Sequence, residues 1–160
     1  MKALGVDLGG KSIKLGLTEE GRLLRSARVP VAAGAEYRVI LGNMVEAARS
    51  LLAGNGDVKS CGIGSPGIVD SASGTVLYAN QFEWSNAALR DDVKEALGIE
   101  VRIGNDARFA ALGEAVFGAG RGYVNVVFLG LGTGVGGGLN APAKKIEKTG
   151  EHSPRQNCTM

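Results

Sequence analysis

Two carboxylates stand where they could take part in chemistry, and Asp106 is the stronger candidate. It follows residues 99–103 (IEVRI), which are predicted to be a buried strand, and begins a segment of helical periodicity, with Asn105 beside it as a hydrogen-bonding partner. A carboxylate at such a point can take the proton of an attacking hydroxyl, as phosphoryl transfer to an alcohol requires. Asn-Asp before a helix is also a good N-cap, and the residues alone favour that structural role. One pair can serve both purposes.

Asp7 is the second carboxylate, and it lies in a stretch where apolar residues alternate. The alternation places Asp7 on the strand face opposite Val6 and Leu8. A carboxylate among apolar strand residues could hold Mg²⁺ near a phosphate, directly or through water. The alternative is an aspartate at a strand end that faces solvent.

Residues 5–12 (GVDLGGKS) fit the P-loop pattern G-x-x-x-x-G-K-[ST]. A P-loop needs a helix that opens at its Lys-Ser, because the phosphate binds the amides of that helix. After Ser12 the chain instead alternates with a period of two, which predicts a strand. We therefore predict a hairpin with its tip at Gly9-Gly10-Lys11. Such a tip can bring backbone N–H groups close to a phosphate or be an ordinary tight turn.

A second glycine cluster, residues 132–138 (GTGVGGG), contains the G-x-G-x-x-G spacing of a dinucleotide-binding loop. That motif requires a helix next, and residues 139–142 show no helical periodicity. We predict a second hairpin, in which a glycine turn joins two strands. Two such turns suggest two pieces of backbone that grip one polyphosphate from opposite sides.

The elements that must position these residues follow from periodicity and from turn residues. Strands are predicted at 2–8, 12–18, 22–30, 58–64, 99–103 and 123–131, with a hairpin inside 68–80. Helices are predicted at 35–53, at 86–97 with Ser85 or Asn86 as N-cap and Gly98 as C-cap, and at 106–117 with an apolar face of Phe109, Leu112, Ala115 and Val116. This order mixes an antiparallel meander with parallel crossovers. Residues 118–122 (GAGRG) indicate a hinge or domain boundary.

Composition narrows the class of protein. The chain has 160 residues, 44% of them hydrophobic, enough for a core. A net charge of +2 and an aromatic content of 5% argue against nucleic-acid binding. The two cysteines, Cys61 and Cys158, give neither a disulfide framework nor a zinc motif. Without a signal peptide or an 18-residue apolar stretch, the expected protein is soluble and cytoplasmic, with no membrane partner.

Several motifs together resemble the ROK family of sugar kinases and sugar-responsive repressors, over residues 3 to about 140. They are residues 7–10 (DLGG), 62–67 (GIGSPG), Asn80 followed by Trp84, residues 105–107 (NDA) and 132–138 (GTGVGGG). The resemblance implies an α/β fold of the actin/hexokinase/Hsp70 ATPase type, which is ribonuclease H-like and has its active site between two lobes. Residues 1–118 would form the first lobe and 119–140 the start of the second. The polar tail 141–160 is expected to be disordered.

The resemblance also implies a function, the ATP-dependent phosphorylation of a hexose or N-acetylhexosamine hydroxyl with Asp106 as the base. Its positions place the sugar on Ser65, Pro66, Gly67, Asn80, Asn105 and Asp106. They place ATP on Asp7, Gly9, Gly10, Lys11, Ser12, Gly132, Thr133, Gly134, Gly136 and Gly137, and Mg²⁺ on Asp7. Sugar and ATP would be the partners, and a homo-oligomer is compatible with this view.

Two departures from the family pattern shape these expectations. Lys11 and Ser12 stand where the family usually has Thr followed by Lys or Asn, which bears on ATP affinity. After Gly138 the chain leaves the family pattern, so we expect a truncated chain with impaired phosphorylation. The alternative function is a non-catalytic sugar sensor, which the lack of a DNA-binding segment before the first strand disfavours. A general Hsp70-like ATPase would not call for the Asn80 and Asn105-Asp106 positions.

Overall fold

The computed structural model of the protein describes residues 1–131 and 135–141. A five-stranded sheet has the order β3-β2-β1-β4-β8. Its strands are β1 (Lys2–Leu8), β2 (Ser12–Glu19), β3 (Arg22–Pro30), β4 (Ser60–Ser65) and β8 (Glu100–Asn105). A three-stranded sheet contains β5 (Ile68–Asp70), β6 (Thr75–Ala79) and β7 (Trp84–Ala87), and β9 (Val126–Leu131) pairs with β10 (Val135–Asn140). The helices are α1 (Tyr37–Leu52), α2 (Leu89–Leu97) and α3 (Asp106–Phe117), with a 3₁₀ turn at Asn80–Phe82.

The main sheet mixes strand directions as the sequence predicts. β1, β2 and β3 form an antiparallel meander, and β4 and β8 join β1 in parallel. A parallel pair requires a crossover, and α1 and α2 provide the helices of the two crossovers. The parallel strands end at the same edge of the sheet, where Asp7, Ser65 and Asn105 lie.

The core lies between one face of this sheet and the two crossover helices. Alternation along β1 buries Leu4, Val6 and Leu8, and β2 buries Ile13, Leu15 and Leu17. The helix predicted at 35–53 is confirmed as α1, and residues at helical spacing form its buried face: Leu41, Met44, Val45, Ala48 and Leu51. The strand 99–103 is only half buried, since Val101 and Ile103 face the core while Glu100 and Arg102 are exposed. Period-two alternation therefore accounts for most of the core.

The predicted start of the second helix is wrong. α2 begins at Leu89, and neither Ser85 nor Asn86 is its N-cap. Residues 84–87 form β7, which pairs with β6 through Tyr78 and Ser85 and closes the small sheet. Asn86 has φ of 53°, a left-handed conformation that asparagine tolerates better than most residues. The C-cap at Gly98 and the hairpin within 68–80 are both confirmed.

The predicted apolar face of α3 is wrong in part. Leu112 and Val116 are 48% and 49% exposed, while Ala111 is buried. α3 turns its small residues toward the β9–β10 hairpin, where a Cβ on Gly138 would stand 2.7 Å from the Cβ of Ala111. Only a glycine permits so close an approach, so this position decides which side of α3 is covered.

The β9–β10 hairpin has a second side that carries large apolar side chains. The predicted start of this strand at residue 123 is wrong, because β9 begins at Val126. Val127, Leu129, Leu131, Val135 and Leu139 are 68–82% exposed, and we call these five residues the outer face of the hairpin. The predicted tail from residue 142 onward, together with Gly132, Thr133 and Gly134, lies outside the described residues. Among the residues that are described, no helix combines the length and apolar character needed to cross a membrane.

Candidate functional site

The second face of the main sheet has few side chains, because glycines occupy it. The strand register sets Gly16, Gly5 and Gly62 side by side across three strands. The next row along the strands contains Lys14, Asp7 and Gly64. A cavity of about 700 Å³ lies over this floor. Over β1 and β4 the face therefore offers bare backbone, and Asp7, Lys14 and Arg28 are the charged side chains that border the cavity.

Asp7 points away from Val6 and Leu8, as predicted, and it forms an ion pair. Lys14 lies directly opposite it on β2, and its Nζ is 2.7 Å from Asp7 Oδ2. Both side chains keep half or more of their surface exposed, 60% for Lys14 and 50% for Asp7. The carboxylate is thus paired with a lysine that no local sequence pattern singles out.

The turn at residues 9–12 is a hairpin tip, and the P-loop alternative is excluded. Leu8 pairs with Ile13, and Gly9 N donates to Ser12 O at 3.2 Å, so a strand and not a helix follows the turn. Lys11 is exposed at the tip. Ser12 is 8% exposed, and its Oγ accepts a hydrogen bond from Arg28 Nε at 3.1 Å. Its hydroxyl is therefore engaged within the fold.

The loop after β4 places three predicted sugar-contacting residues in different environments. Ser65 is completely buried, and its hydroxyl donates to Pro66 O at 3.2 Å. Its burial follows from strand parity, because Cys61, Ile63 and Ser65 share the core-facing side of β4. Gly67 has φ of 89°, and a Cβ there would collide with the carbonyl oxygen of Tyr78. In this arrangement Pro66 and Gly67 can face a ligand, but the Ser65 side chain cannot.

Asn105 and Asp106 hold the junction between β8 and α3. Asn105 is the N-cap, with Oδ1 accepting from Arg108 N at 3.2 Å. Asp106 Oδ1 accepts from Ala107 N at 2.8 Å. Because both side chains take up amides of the first turn, those amides are not available to an anion from outside. The cap expected from the sequence is confirmed, and Asp106 also borders a cavity.

That cavity has a volume of about 620 Å³ and joins the main sheet to the β9–β10 hairpin. It brings together four predicted site residues, Pro66, Gly67, Asp106 and Gly136. It also brings in Lys14, Gln81 and Phe128, which sequence reasoning missed. These three come from separate elements, and no local pattern marks them. Among the described residues that line the cavity, Asp106 is the one acidic side chain and Lys14 the one basic side chain.

Asn80 lies just outside this lining. It is exposed at the start of the 3₁₀ turn, and its Oδ1 accepts from the Tyr78 hydroxyl at 3.1 Å. The neighbouring Gln81 lines the cavity instead and lies close to the hairpin tip, where a Cβ on Gly10 would be 3.4 Å from Gln81 Cβ. The side chain that lines the cavity is therefore Gln81 and not Asn80.

The described part of the second glycine cluster packs against α3. A Cβ on Gly136 would lie 3.4 Å from Ala107 Cβ, whereas Gly137 faces the other side of β10. β10 is a strand, so the dinucleotide-binding motif is excluded. Gly132, Thr133 and Gly134 lie outside the described residues, and their predicted contact with ATP stays a prediction.

No group of three or more His, Cys, Asp or Glu side chains converges within residues 1–131 and 135–141. Mg²⁺ is commonly held by one or two carboxylates together with substrate phosphates. A single half-exposed carboxylate at Asp7 fits that mode, and it fits no all-protein metal site. The groups whose pKa is strongly shifted lie elsewhere: burial raises the pKa of the Cys61 thiol to about 12, and burial followed by the hydrogen bond to Asp92 raises that of Tyr37.

The model of the ROK family matches residues 3–148. The chain is 38% identical over 138 residues to a glucokinase of Streptomyces coelicolor, which covers 85% of the chain and 42% of that protein. It is 38% identical over 136 residues to an N-acetyl-D-glucosamine kinase of Yersinia enterocolitica, with 84% of the chain and 45% of the relative covered. The chain thus spans less than half the length of these relatives.

A solved structure shows the same fold. The crystal structure of a ROK family glucokinase from Streptomyces griseus, in complex with glucose and AMPPNP, superposes with a TM-score of 0.81 and 37% identity. The match covers 88% of this chain and 45% of that chain. The predicted actin/hexokinase-like α/β fold is therefore confirmed.

Proposed function

The chain belongs to the ROK family, and we propose that it supplies the sugar-binding and proton-accepting half of an ATP-dependent kinase for a hexose or an N-acetylhexosamine. One observation carries the proposal: Asp106, Pro66 and Gly67 line the same 620 Å³ cavity as Gly136 of the β9–β10 hairpin. A sugar hydroxyl and a phosphate could meet in a space of this kind, since small-molecule sites are typically about 300–1,000 Å³.

Asp106 is the proposed base. Its Oδ1 accepts from Ala107 N, which fixes the carboxylate at the start of α3. Oδ2 has no hydrogen-bond partner among the described residues and is left for the sugar hydroxyl. Proton transfer to a positioned carboxylate contributes about 10²–10⁴-fold to a rate. Asn105 helps to place it by capping the helix and by tying β8 to the loop at Gly67.

The nucleotide would approach from the side of the two glycine hairpins. Of the predicted contacts, Gly10 and Lys11 lie exposed at the first tip, and Gly136 borders the cavity. The Ser12 hydroxyl accepts a hydrogen bond from Arg28 Nε, which leaves its O–H proton to donate to a phosphate oxygen. Mg²⁺, when bound with the nucleotide, would be held by Asp7 and would neutralise phosphate charge. The cytoplasmic location, a possible homo-oligomer and the division at residues 118 and 140 stay predictions.

The chain by itself should phosphorylate sugars negligibly. Alignment of hydroxyl and phosphate depends on closure of a cleft, and misplacement alone can cost about 10²-fold. Relatives devote more than half of their length to residues with no counterpart here. A coupled ADP-release assay with glucose and with N-acetylglucosamine checks this expectation. Turnover near about 1 s⁻¹ would show that no further part is needed.

The decisive experiment is a chimera in which residues 1–140 precede the remaining part of the S. coelicolor glucokinase. We expect sugar-dependent ADP release that Asp106→Asn lowers by about 10²–10⁴-fold while sugar affinity survives. Asp91→Asn is the matched control, because Asp91 is also an acid in the first turn of a helix but pairs with Arg90. Sugar binding without turnover in the unsubstituted chimera would favour the sensor alternative instead.

A further inference from the structure

Lys14 occupies a position between the two cavities of the second sheet face. It lines the 700 Å³ cavity over the glycine floor and also the 620 Å³ cavity that contains Asp106. The register that pairs it with Asp7 directs it away from Ile13 and Leu15, which are buried in the core. Lys14 therefore points to where the proposed function needs to accommodate a phosphate.

Lys14 is the cation that both cavities share. The charged residues around the larger cavity are Asp7, Lys14 and Arg28, and Arg28 Nε already donates to Ser12 Oγ at 3.1 Å. Around the smaller cavity, Lys14 and Asp106 are the charged residues within the described part of the chain. An anion that enters the smaller cavity meets Lys14 as its positive partner among the described residues, and in the larger cavity it meets Lys14 beside Arg28.

The pair with Asp7 is short and easily exchanged. Its N–O distance is 2.7 Å, but both side chains are half exposed or more, and exposed pairs of this kind contribute little free energy. A lysine is a flexible point charge that can turn to a phosphate oxygen without backbone movement. The glycine floor leaves room above Gly62, where nothing lies within 4 Å of a built Cβ, whereas the Leu23 side chain covers Gly16.

Lys14 and a divalent cation would compete for the same carboxylate, that of Asp7. Asp7 Oδ2 is bound to Lys14, and Asp7 is also the residue that would hold a divalent cation. If a cation takes Asp7, Lys14 loses its partner and becomes free for an anion. Conversely, an anion that takes Lys14 frees Asp7 for a cation. The two events must then favour each other, since linkage between sites is reciprocal.

We propose that Lys14 is a phosphate-binding residue of this cleft whose partner in the empty state is Asp7, and that it competes with a divalent cation for the Asp7 carboxylate. The inference rests on the proposed function, and it names a residue that binds the nucleotide phosphates. It predicts that removal of the lysine weakens phosphate binding and strengthens binding of a divalent cation. A merely structural lysine would weaken both kinds of binding or neither.

The test uses the 160-residue chain and two titrations by calorimetry. Inorganic tripolyphosphate is titrated in the presence of EDTA, and Mn²⁺ is titrated alone as a substitute for Mg²⁺. In Lys14→Met we expect tripolyphosphate affinity to fall about 10-fold, the effect of one charge-assisted hydrogen bond. We expect Mn²⁺ affinity to rise by about 2- to 5-fold, because the competing exposed pair is gone. Lys14→Arg should restore most of the tripolyphosphate affinity.

Lys94→Met is the matched control, since Lys94 Nζ also lies 2.7 Å from a carboxylate, that of Glu100, but lines neither cavity. It should leave both titrations unchanged. Unchanged tripolyphosphate binding in Lys14→Met, or weaker Mn²⁺ binding, would overturn the inference, as would absence of tripolyphosphate binding to the unsubstituted chain. Tripolyphosphate that binds through Lys14 in a protein whose chimera phosphorylates no sugar would refute the proposed function alone.

Discussion

Asn105 donates a hydrogen bond from Nδ2 to the carbonyl oxygen of Gly67, 3.3 Å away. The same side chain caps α3 through Arg108 N. One amide thus joins the strand end, the helix start and the loop that follows β4.

The two functions of Asn105 can be separated by substitution. Asn105→Ala removes the cap and should lower the free energy of unfolding by about 1 kcal/mol. Asn105→Ser keeps a capping oxygen but cannot reach Gly67, so its stability should change by less than about 0.5 kcal/mol. In the chimera both variants should bind sugar more weakly. Urea unfolding and sugar titration measure the two effects, and equal loss of stability in both variants would contradict the assignment of the cap.

Gly67 should be among the glycines least tolerant of substitution. Gly67→Ala places a Cβ against the Tyr78 carbonyl and forces a side chain into φ of 89°, so we expect a loss of at least about 2 kcal/mol in the free energy of unfolding. Gly62→Ala is the control in a neighbouring strand, with nothing within 4 Å of its Cβ. It should change stability by less than about 0.5 kcal/mol. A Gly67→Ala protein as stable as the control would show that the loop can move.

Cys61 should make the protein lose stability in alkali. Burial raises the pKa of its thiol from about 9 to about 12, so the folded state holds a proton that the unfolded state releases. The stabilisation is complete below about pH 9 and is lost as pH rises toward about 12. Over that interval the free energy of unfolding should fall by about 1.4 kcal/mol per pH unit from this group. Guanidinium unfolding at several pH values measures the slope, and Cys61→Ala should make it shallower. Identical slopes would mean that the thiol titrates normally.

The outer face of the hairpin should tolerate polar residues. Val127 and Leu129 are each 70% exposed, so Val127→Thr and Leu129→Thr remove little buried area. We expect the free energy of unfolding to change by less than about 0.5 kcal/mol, while sedimentation shows less self-association. Phe82→Ala, at a side chain only 8% exposed, is the contrasting change and should cost about 3–5 kcal/mol. Strong destabilisation by the threonine variants would mean that the face is covered.

Much of the fold could be predicted because β1, β2 and α1 keep a strict apolar period. The period predicts which way each side chain points as well as the type of secondary structure, so Asp7 was correctly placed opposite Val6 and Leu8. It could also have shown that Ser65 is buried, since Ser65 continues the parity of Cys61 and Ile63. The start of α2 could not be found in this way, because β7 forms through pairing with β6.

The site was harder to predict than the fold, because it depends on register. Lys14 becomes important only when β1 and β2 pair so that it meets Asp7, and no local pattern sets that register apart. Gln81 lines the cavity because a 3₁₀ turn rotates Asn80 outward. The cap at Asn105 could be predicted because capping geometry is local. Residues that are brought together by pairing of distant strands cannot be identified from local sequence patterns.

The uncovered outer face has a consequence for how longer relatives are made. A ribosome extends the chain from its first residue, and domains generally fold in that order as they emerge. A longer protein that begins with these residues would pass through a stage in which the first sheet is complete and the β9–β10 hairpin exposes Val127, Leu129 and Leu131 to water. An exposed apolar hairpin of this kind makes an incomplete polypeptide prone to aggregation.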